Sequence, residues 1–324
     1  MKNRFLILLS FVLIVGRDVV CANTSMVRER ININRDWRYQ IDDPDGVGAA
    51  LHYSRLKPYL LPCANDFIIF GKRYQRPEGN PGENIAYVKS DFDDSEWRHL
   101  NLPHDWAIEG PFNIDYNGST GKLPYWGIRW YRKTLELSQD DAGKQIYLDI
   151  DGAMSYVSVW CNGQYVGGWP YGYASFRLDL TPYIKAGQKN VLAIRLDNPD
   201  DTSRWYPGSG IYRNVWLVKT SPVHVEQWGT FVRNQQVDSE IAVMEMGVNI
   251  ENHAGEDVQV KLQTSVYLQG KDGRPVGEEV TQSMTKDIAI KKDSWSSARF
   301  QFKVDKPKLW DIDTPNCYVA VSRV

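Results

Sequence analysis

Short runs of alternating apolar and polar residues, each closed by Gly, Pro, Asn or Asp, recur along this sequence from about residue 31. Period-two alternation turns one side of an extended chain toward a core and the other toward solvent. Long segments with a helical apolar period are missing, and so is any strand–helix–strand alternation. The chain is therefore constrained to an all-β fold. "KQIYLDID" reads as a strand and "SYVSVW" follows it. Asn162-Gly163 is a pair that favours a two-residue hairpin turn, with "QYVGGW" as the return strand. "ASFRLDL" and "NVLAIRL" come next, the second with Leu192, Ile194 and Leu196 on one face. "GIYRNVWLVK" closes the series. Turn-rich "TPYIKAGQ" and "NPDDTSRWYPG" separate the strands. An antiparallel sandwich of the jelly-roll type over 23–221 accommodates this order.

Residues 41–90 break the rhythm. "DDPDGVGAA" and "RPEGNPGEN" flank "SRLKPYLLPCANDFIIFGKRY", which reads as a loop insertion with one short strand at Phe67 to Phe70. After "KTSPVHV" the density of aromatics and glycines drops. "EIAVMEMGVNIEN", "VQVKLQTSVYLQ", "SSARFQFKV" and "NCYVAVSRV" are spaced strands, with polar turns such as "GKDGRP". They predict a second, smaller sandwich over 222–324, immunoglobulin-like by strand count. Such a sandwich needs one more strand after "NCYVAVSRV", so residue 324 reads as a truncated end.

The N-terminus begins with basic Lys2 and Arg4, then an apolar run from Phe5 to Val15, then Val20-Cys21-Ala22. This is the pattern of a secretory signal peptide over 1–22. The apolar run is too short for a membrane span, and no transmembrane segment is expected. The mature protein is expected to be secreted or periplasmic. Cys21 opens an outer-membrane lipoprotein reading, against which the bulk of Val20 counts. Cys63, Cys161 and Cys317 remain after cleavage, too few and too scattered for a disulfide framework. His52, His99, His104, His224 and His253 show no ligand spacing, so neither a metal nor a cofactor is expected. Lys and Arg number 38 against 40 Asp and Glu, with no basic block among aromatics, which excludes nucleic acid as a partner.

The chemistry-bearing stretches are few. In "RWYPGSGIYRNVWL", Pro207, Gly208 and Gly210 shape a tight turn into a strand. Alternation then puts Ile211, Arg213, Val215 and Leu217 on one face, making Arg213 a buried hydrogen-bonding anchor. Arg204, Trp205 and Tyr206 precede the turn and are rim candidates for stacking on a sugar. "DYNGSTGKLPYWG" offers Tyr125 and Trp126 for the same role, and its Asn117-Gly118-Ser119 is a glycosylation sequon. "PHDW" sets His104 beside Asp105 and Trp106, but a His-Asp pair without a nucleophile reads as a backbone anchor. Asp149 and Asp151 share one strand face and read as solvated surface carboxylates.

Taken together, these stretches resemble the N-terminal part of glycoside hydrolase family 2, the β-galactosidase, β-glucuronidase and β-mannosidase group. "FDDSEWRHLNLPHDW" looks like the family's opening segment, and "GIRWYRKTLEL" like the strand that begins its sugar-binding sandwich. "VWCNGQYVGGWPYGYASFRLDLTPYI" is similar to its Asn-Gly hairpin and return. "RWYPGSGIYRNVWL" is close to its Gly-Ser/Ala-Gly-Ile-Tyr/Phe-Arg signature, and "KPKLWDIDTPNCYVAV" resembles the end of its second domain. The insertion, the signal peptide and "PHDWAIEGPF" together look most like secreted enzymes of gut Bacteroidetes-type bacteria.

The resemblance implies a galactose-binding-like jelly-roll followed by an immunoglobulin-like sandwich. It implies that residues 204–207 approach the mouth of a catalytic barrel carrying two glutamates. That barrel follows the second sandwich in the family, and neither glutamate maps onto this chain. The implied function is the non-catalytic N-terminal portion of a secreted β-galactosidase-like hydrolase of β-glycosides, inactive alone. The alternative is a standalone carbohydrate-binding or assembly protein, homo-oligomeric as family N-terminal domains often are. Sugar preference would be set mostly by the barrel.

Overall fold

The computed structural model describes residues 28–68, 72–116, 118, 121–200 and 208–324. The signal-peptide segment, Asn117, Ser119, Arg204, Trp205 and Tyr206 lie outside the described residues.

Ten strands form the first sandwich: β1 (Glu29–Asn32), β2 (Trp37–Ile41), β3 (Arg98–Leu100), β4 (Gly127–Glu136), β5 (Gln145–Ile150), β6 (Val157–Cys161), β7 (Gln164–Trp169), β8 (Phe176–Asp179), β9 (Lys189–Asn198) and β10 (Val215–Thr220). They pair antiparallel in two sheets, ordered β1-β10-β5-β8 and β3-β2-β4-β9-β6-β7. This is the jelly-roll. Leu192, Ile194 and Leu196 share the inner face of β9, packed with Val157, Val159, Leu148, Ile150 and Leu217. Asn162 and Gly163 both take positive φ, 51° and 80°, the requirement of the turn that joins β6 to β7.

The insertion is a third layer rather than a plain loop, and the strand expected at Phe67 to Phe70 falls partly outside the described residues. It forms α1 (Tyr53–Leu60) and a 3₁₀ turn over Leu61–Phe67; Ile69 and Phe70 lie outside the described residues. Leu51, Leu56, Leu60, Ile85 and Val88 pack on Trp130, Trp160, Tyr165 and Ala193. Those four side chains are the outward-facing phase of β4, β6, β7 and β9. Across β4, β9, β6 and β7 the sheet is therefore covered on both faces, which is why all of Val157–Cys161 is buried. Trp130 and Trp160 stack at 5.4 Å between ring centroids. The Trp160 indole N–H donates to the Pro81 carbonyl at 2.7 Å, and the Tyr165 N–H donates to Asn80 Oδ1 at 2.7 Å. Large aromatics of this kind bury when their polar tips are answered, and here the insertion answers both indoles, Trp160 through the Pro81 carbonyl and Trp130 through Asp43.

Two carboxylates differ from the sequence reading. Asp149 is buried and accepts both Arg177 Nε at 2.6 Å and Nη2 at 2.8 Å, so it is an internal ion pair rather than a solvated surface group. Asp151 accepts the Trp216 indole N–H at 2.9 Å. Arg213 is exposed and is not a buried anchor. The chain bends there, β10 begins only at Val215, and the alternation does not run back through the bend.

Asp141 secures the entry to β5. It is buried and accepts Lys219 Nζ at 2.6 Å, Lys144 Nζ at 3.0 Å and the Ser138 N–H at 3.1 Å. Burial alone would raise its pKa, but the two ammonium groups and the N–H outweigh it and hold the pKa below the ordinary value. A depressed native pKa gives stability that is present above the unfolded pKa and lost as pH falls through the native one. Asp141→Asn should therefore cost about 2 kcal/mol at neutral pH, and the gap to the parent should close below pH ~4. Urea unfolding at both pH values checks this; a gap that stays constant with pH would contradict it.

Two residues, Ser221 and Pro222, connect β10 to the second sandwich. This comprises β11 (Val223–Val237), β12 (Ile241–Asn252), β13 (Val258–Gln269), β14 (Pro275–Val276), β15 (Met284–Ile290), β16 (Ser294–Asp305) and β17 (Tyr318–Arg323). One sheet is ordered β11-β12-β16, and in the other β13 pairs with β14, β15 and β17. Met246, Val248, Ile250, Leu262, Val266, Phe300 and Phe302 fill the immunoglobulin-like core. No helix among the described residues is long and apolar enough to cross a membrane.

Candidate functional site

The sheet register gathers several connections at one end of the jelly-roll. Gly127, the first residue of β4, pairs with Asn198, the last of β9. The β5–β6, β7–β8 and β9–β10 connections emerge beside them. Between them lies a cleft of about 240 Å³, lined by Tyr53, Tyr156, Tyr171, Tyr173, Met154 and Asn198 among others. Tyr171 and Tyr173 are 49% and 43% exposed. Tyr53 belongs to α1, and its ring lies 4.6 Å from that of Tyr156. The insertion thus builds one wall of the cleft. An apolar wall with a few fixed polar groups is what small-molecule sites present, and tyrosine faces suit the C–H face of a sugar.

Asn198 is the polar centre. It is buried, and its amide N–H groups donate to the Tyr125 carbonyl at 2.8 Å and the Gly208 carbonyl at 3.1 Å. Its Oδ1 accepts the Ser155 hydroxyl at 3.1 Å. The Ser209 hydroxyl donates to the Tyr125 carbonyl at 2.6 Å. Asn198 therefore ties three cleft loops together. Tyr125 is buried rather than on the rim, with its hydroxyl donating to Asp200 Oδ1 at 3.3 Å. Trp126 is half-buried, its ring 4.7 Å from that of Tyr116. Arg204, Trp205 and Tyr206, the remaining rim candidates, lie outside the described residues.

The Pro-His-Asp-Trp and Gly-Ser-Gly-Ile segments are joined to each other. The His104 N–H donates to the Ile211 carbonyl at 2.9 Å and the Trp106 N–H to the Ser209 carbonyl at 3.1 Å. Asp105 Oδ1 accepts the N–H groups of Ala107 at 2.9 Å and Ser209 at 3.1 Å. Burial raises the Asp105 pKa against the pull of those N–H groups. The His104 ring does not engage Asp105. It is hydrogen-bonded to the Tyr131 hydroxyl at 2.7 Å and to Glu109 Oε1 at 3.3 Å, and burial lowers its pKa. Arg98 grips Glu109 with two bonds of 2.7 Å and holds that carboxyl below its usual range. The cluster positions the backbone behind the cleft. Nothing in its geometry activates a nucleophile.

The aromatic-rich loop 169–173, "WPYGY", marks Tyr171 and Tyr173 in the sequence as candidates for carbohydrate binding. Sequence reasoning missed their partners in the cleft, Tyr53 from α1, Tyr156 and Asn198 from β9. It also missed a cluster remote from this cleft. The β11–β12 pairing brings His224, Glu251 and His253 together although their spacing in sequence shows no ligand pattern.

Two domain models of a single family match this chain: glycosyl hydrolases family 2, sugar binding domain, over residues 86–221, and glycosyl hydrolases family 2 over residues 223–324. A β-galactosidase of Bacteroides ovatus is 40% identical over 309 residues, covering 94% of this chain and 31% of that protein. A protein of Formosa agariphila assigned as a β-glucuronidase is 32% identical over 269 residues, covering 79% of this chain and 24% of that protein. Among solved structures, a glycosyl hydrolase family 2 member from Bacteroides cellulosilyticus superposes with a TM-score of 0.70 at 26% identity, covering 91% of this chain and 33% of that one. The chain thus spans a third or less of each of these relatives, corresponding to their N-terminal portion.

Proposed function

The chain belongs to glycosyl hydrolase family 2, and on that premise we propose that it serves as the N-terminal scaffold of a secreted β-galactosidase-like glycosidase. The observation that carries this reading is the 40% identity to a β-galactosidase across 94% of the chain. The two catalytic glutamates of such an enzyme belong to the barrel, and among the described residues there is no barrel. The domain division at 221/222 and self-association through the exposed sandwich faces are parts of the same proposal. So is export by residues 1–22 to the periplasm or beyond, with lipidation at Cys21 as the alternative outcome.

A second reading, a β-glycoside-binding protein without hydrolysis, draws support from the exposed Tyr171 and Tyr173. The two are separated by isolating the native product, weighing it and assaying it on aryl β-galactoside and aryl β-glucuronide. A product much heavier than 37.2 kDa that cleaves the galactoside at least tenfold faster is the expected result. Preference for the glucuronide would overturn the substrate assignment. A product no heavier than the chain itself that binds galactosides without cleaving them would establish the second reading instead.

A further inference from the structure

His224, Glu251 and His253 stand on one face of the β11–β12 ladder. His224 and Glu251 are directly opposite each other in register, and His253 follows Glu251 by two residues. The His253 N–H donates to the Pro222 carbonyl at 2.9 Å, so the ladder's grip extends to that residue. The three backbones are thus held by a rigid antiparallel pair rather than by a loop. Glu251 Oε2 lies 3.3 Å from His224 Nε2 and 3.4 Å from His253 Nε2. All three ligand atoms fall within 4.8 Å of one another. The two imidazoles stack at 5.8 Å with 23° between their planes. Their exposures are graded: the His224 side chain is 6% exposed, Glu251 29% and His253 41%. The cluster therefore has a buried floor and an opening to solvent.

We propose that these three residues form a binding site for a divalent transition metal of the zinc class. Tetrahedral zinc with bonds of about 2.0–2.1 Å sets its ligand atoms roughly 3.3–3.4 Å apart. Two edges of the cluster already have that length. The remaining histidine–histidine edge closes by a small rotation of the exposed His253. Two imidazoles and one carboxylate select zinc, copper, nickel or cobalt over calcium or magnesium, which require oxygen ligands. The groups around the site are Tyr147, whose hydroxyl is 3.5 Å from His224 Nε2, the charges of Arg28, Arg177 and Asp179 from the first sandwich, and Asp293 from the turn between β15 and β16. Arg177 is neutralised by Asp149. Asp179 is close enough to act on His253 and favours an added cation. The fourth metal position is open to water. Because β11 starts immediately after the two-residue connection, a metal there would pin the junction between the sandwiches.

The test is calorimetric titration of zinc chloride into the full chain carrying Cys21→Ala, Cys63→Ala and Cys317→Ala, which leaves the buried Cys161 as its one thiol. One zinc per chain is expected, and cobalt(II) bound in its place should show the intense visible bands of four-coordinate geometry. His253→Ala, at an exposed position that tolerates truncation, and Glu251→Gln should each weaken binding by more than the roughly 10–100-fold that loss of a supporting partner alone causes. His52→Ala, exposed and distant in sequence, should leave affinity unchanged. Binding with the same affinity in His253→Ala, or no binding in the parent at 100-fold excess zinc, would overturn the assignment. Circular dichroism of each variant shows that a lost site is not a lost fold.

Discussion

Asp43→Ala is expected to lower the melting temperature of the first sandwich by about 10 °C, from a loss of roughly 3–5 kcal/mol. Asp43 lies in the insertion, yet it answers two groups of the sheet beneath. Its carboxylate accepts Arg195 Nε at 2.8 Å, Arg195 Nη2 at 2.9 Å and the Trp130 indole N–H at 2.8 Å. The Arg195 side chain is 4% exposed and that of Asp43 14%. Truncating Asp43 leaves a guanidinium in the interior with only Asp197 at 3.2 Å and the Leu51 carbonyl at 3.4 Å. Removing one partner of a buried pair costs far more than replacing both with apolar groups. The double variant Asp43→Ala/Arg195→Met should therefore recover much of the loss. Thermal unfolding followed by tryptophan fluorescence measures both, since Trp130 reports on the affected layer. A single-variant loss below 1 kcal/mol would mean that the Asp43 ion pair does not help to hold the insertion on the sheet.

That pair also marks where reading the sequence reached its limit. Alternation located Leu192, Ile194 and Leu196 because β9 buries that phase whatever covers the other. The opposite phase holds Ala193 and Arg195, and on its neighbours Trp130 and Trp160. Tryptophans on a solvent phase were the available sign that something covers them. The sequence of the insertion gave no matching sign, because its short helix closes its apolar side only against those same tryptophans. Arg213 failed for a different reason: it sits at the bend itself, outside β10, where strand alternation does not set the direction of a side chain. Tyr125 looked like a rim aromatic beside glycines, but its backbone carbonyl accepts from both Asn198 and Ser209, and that fixes it inside. The histidine cluster was illegible because strand register, not spacing, unites its members. The family-like segments succeeded because each is a local device, a turn or strand entry, whose residue types are dictated within a few positions.

The two glycines of Gly-Ser-Gly should respond very differently to alanine. Gly210→Ala is expected to cost roughly 3–5 kcal/mol, combining backbone strain with overpacking. Its φ is +109°, well outside what an alanine adopts comfortably. A Cβ there would sit 2.5 Å from the His104 carbonyl oxygen and 2.8 Å from the Tyr131 hydroxyl. Neither obstacle can swing away. The carbonyl is backbone, and the hydroxyl is held by the His104 ring. Gly210 also exchanges two backbone hydrogen bonds with Met154, of 2.9 and 3.0 Å. Displacing it therefore pushes on a cleft-lining residue and on the His104 strap at once. Among the described residues Gly208→Ala meets nothing nearer than Asp105 Oδ2 at 3.7 Å, and it should change stability by less than about 0.5 kcal/mol. Urea midpoints for the two variants give the comparison directly. If Gly210→Ala proves as mild as Gly208→Ala, the strap moves freely, and the rigidity assigned to the back of the cleft is wrong. If only Gly210→Ala unfolds early, the signature glycine is there because the His104 carbonyl leaves no room for a side chain.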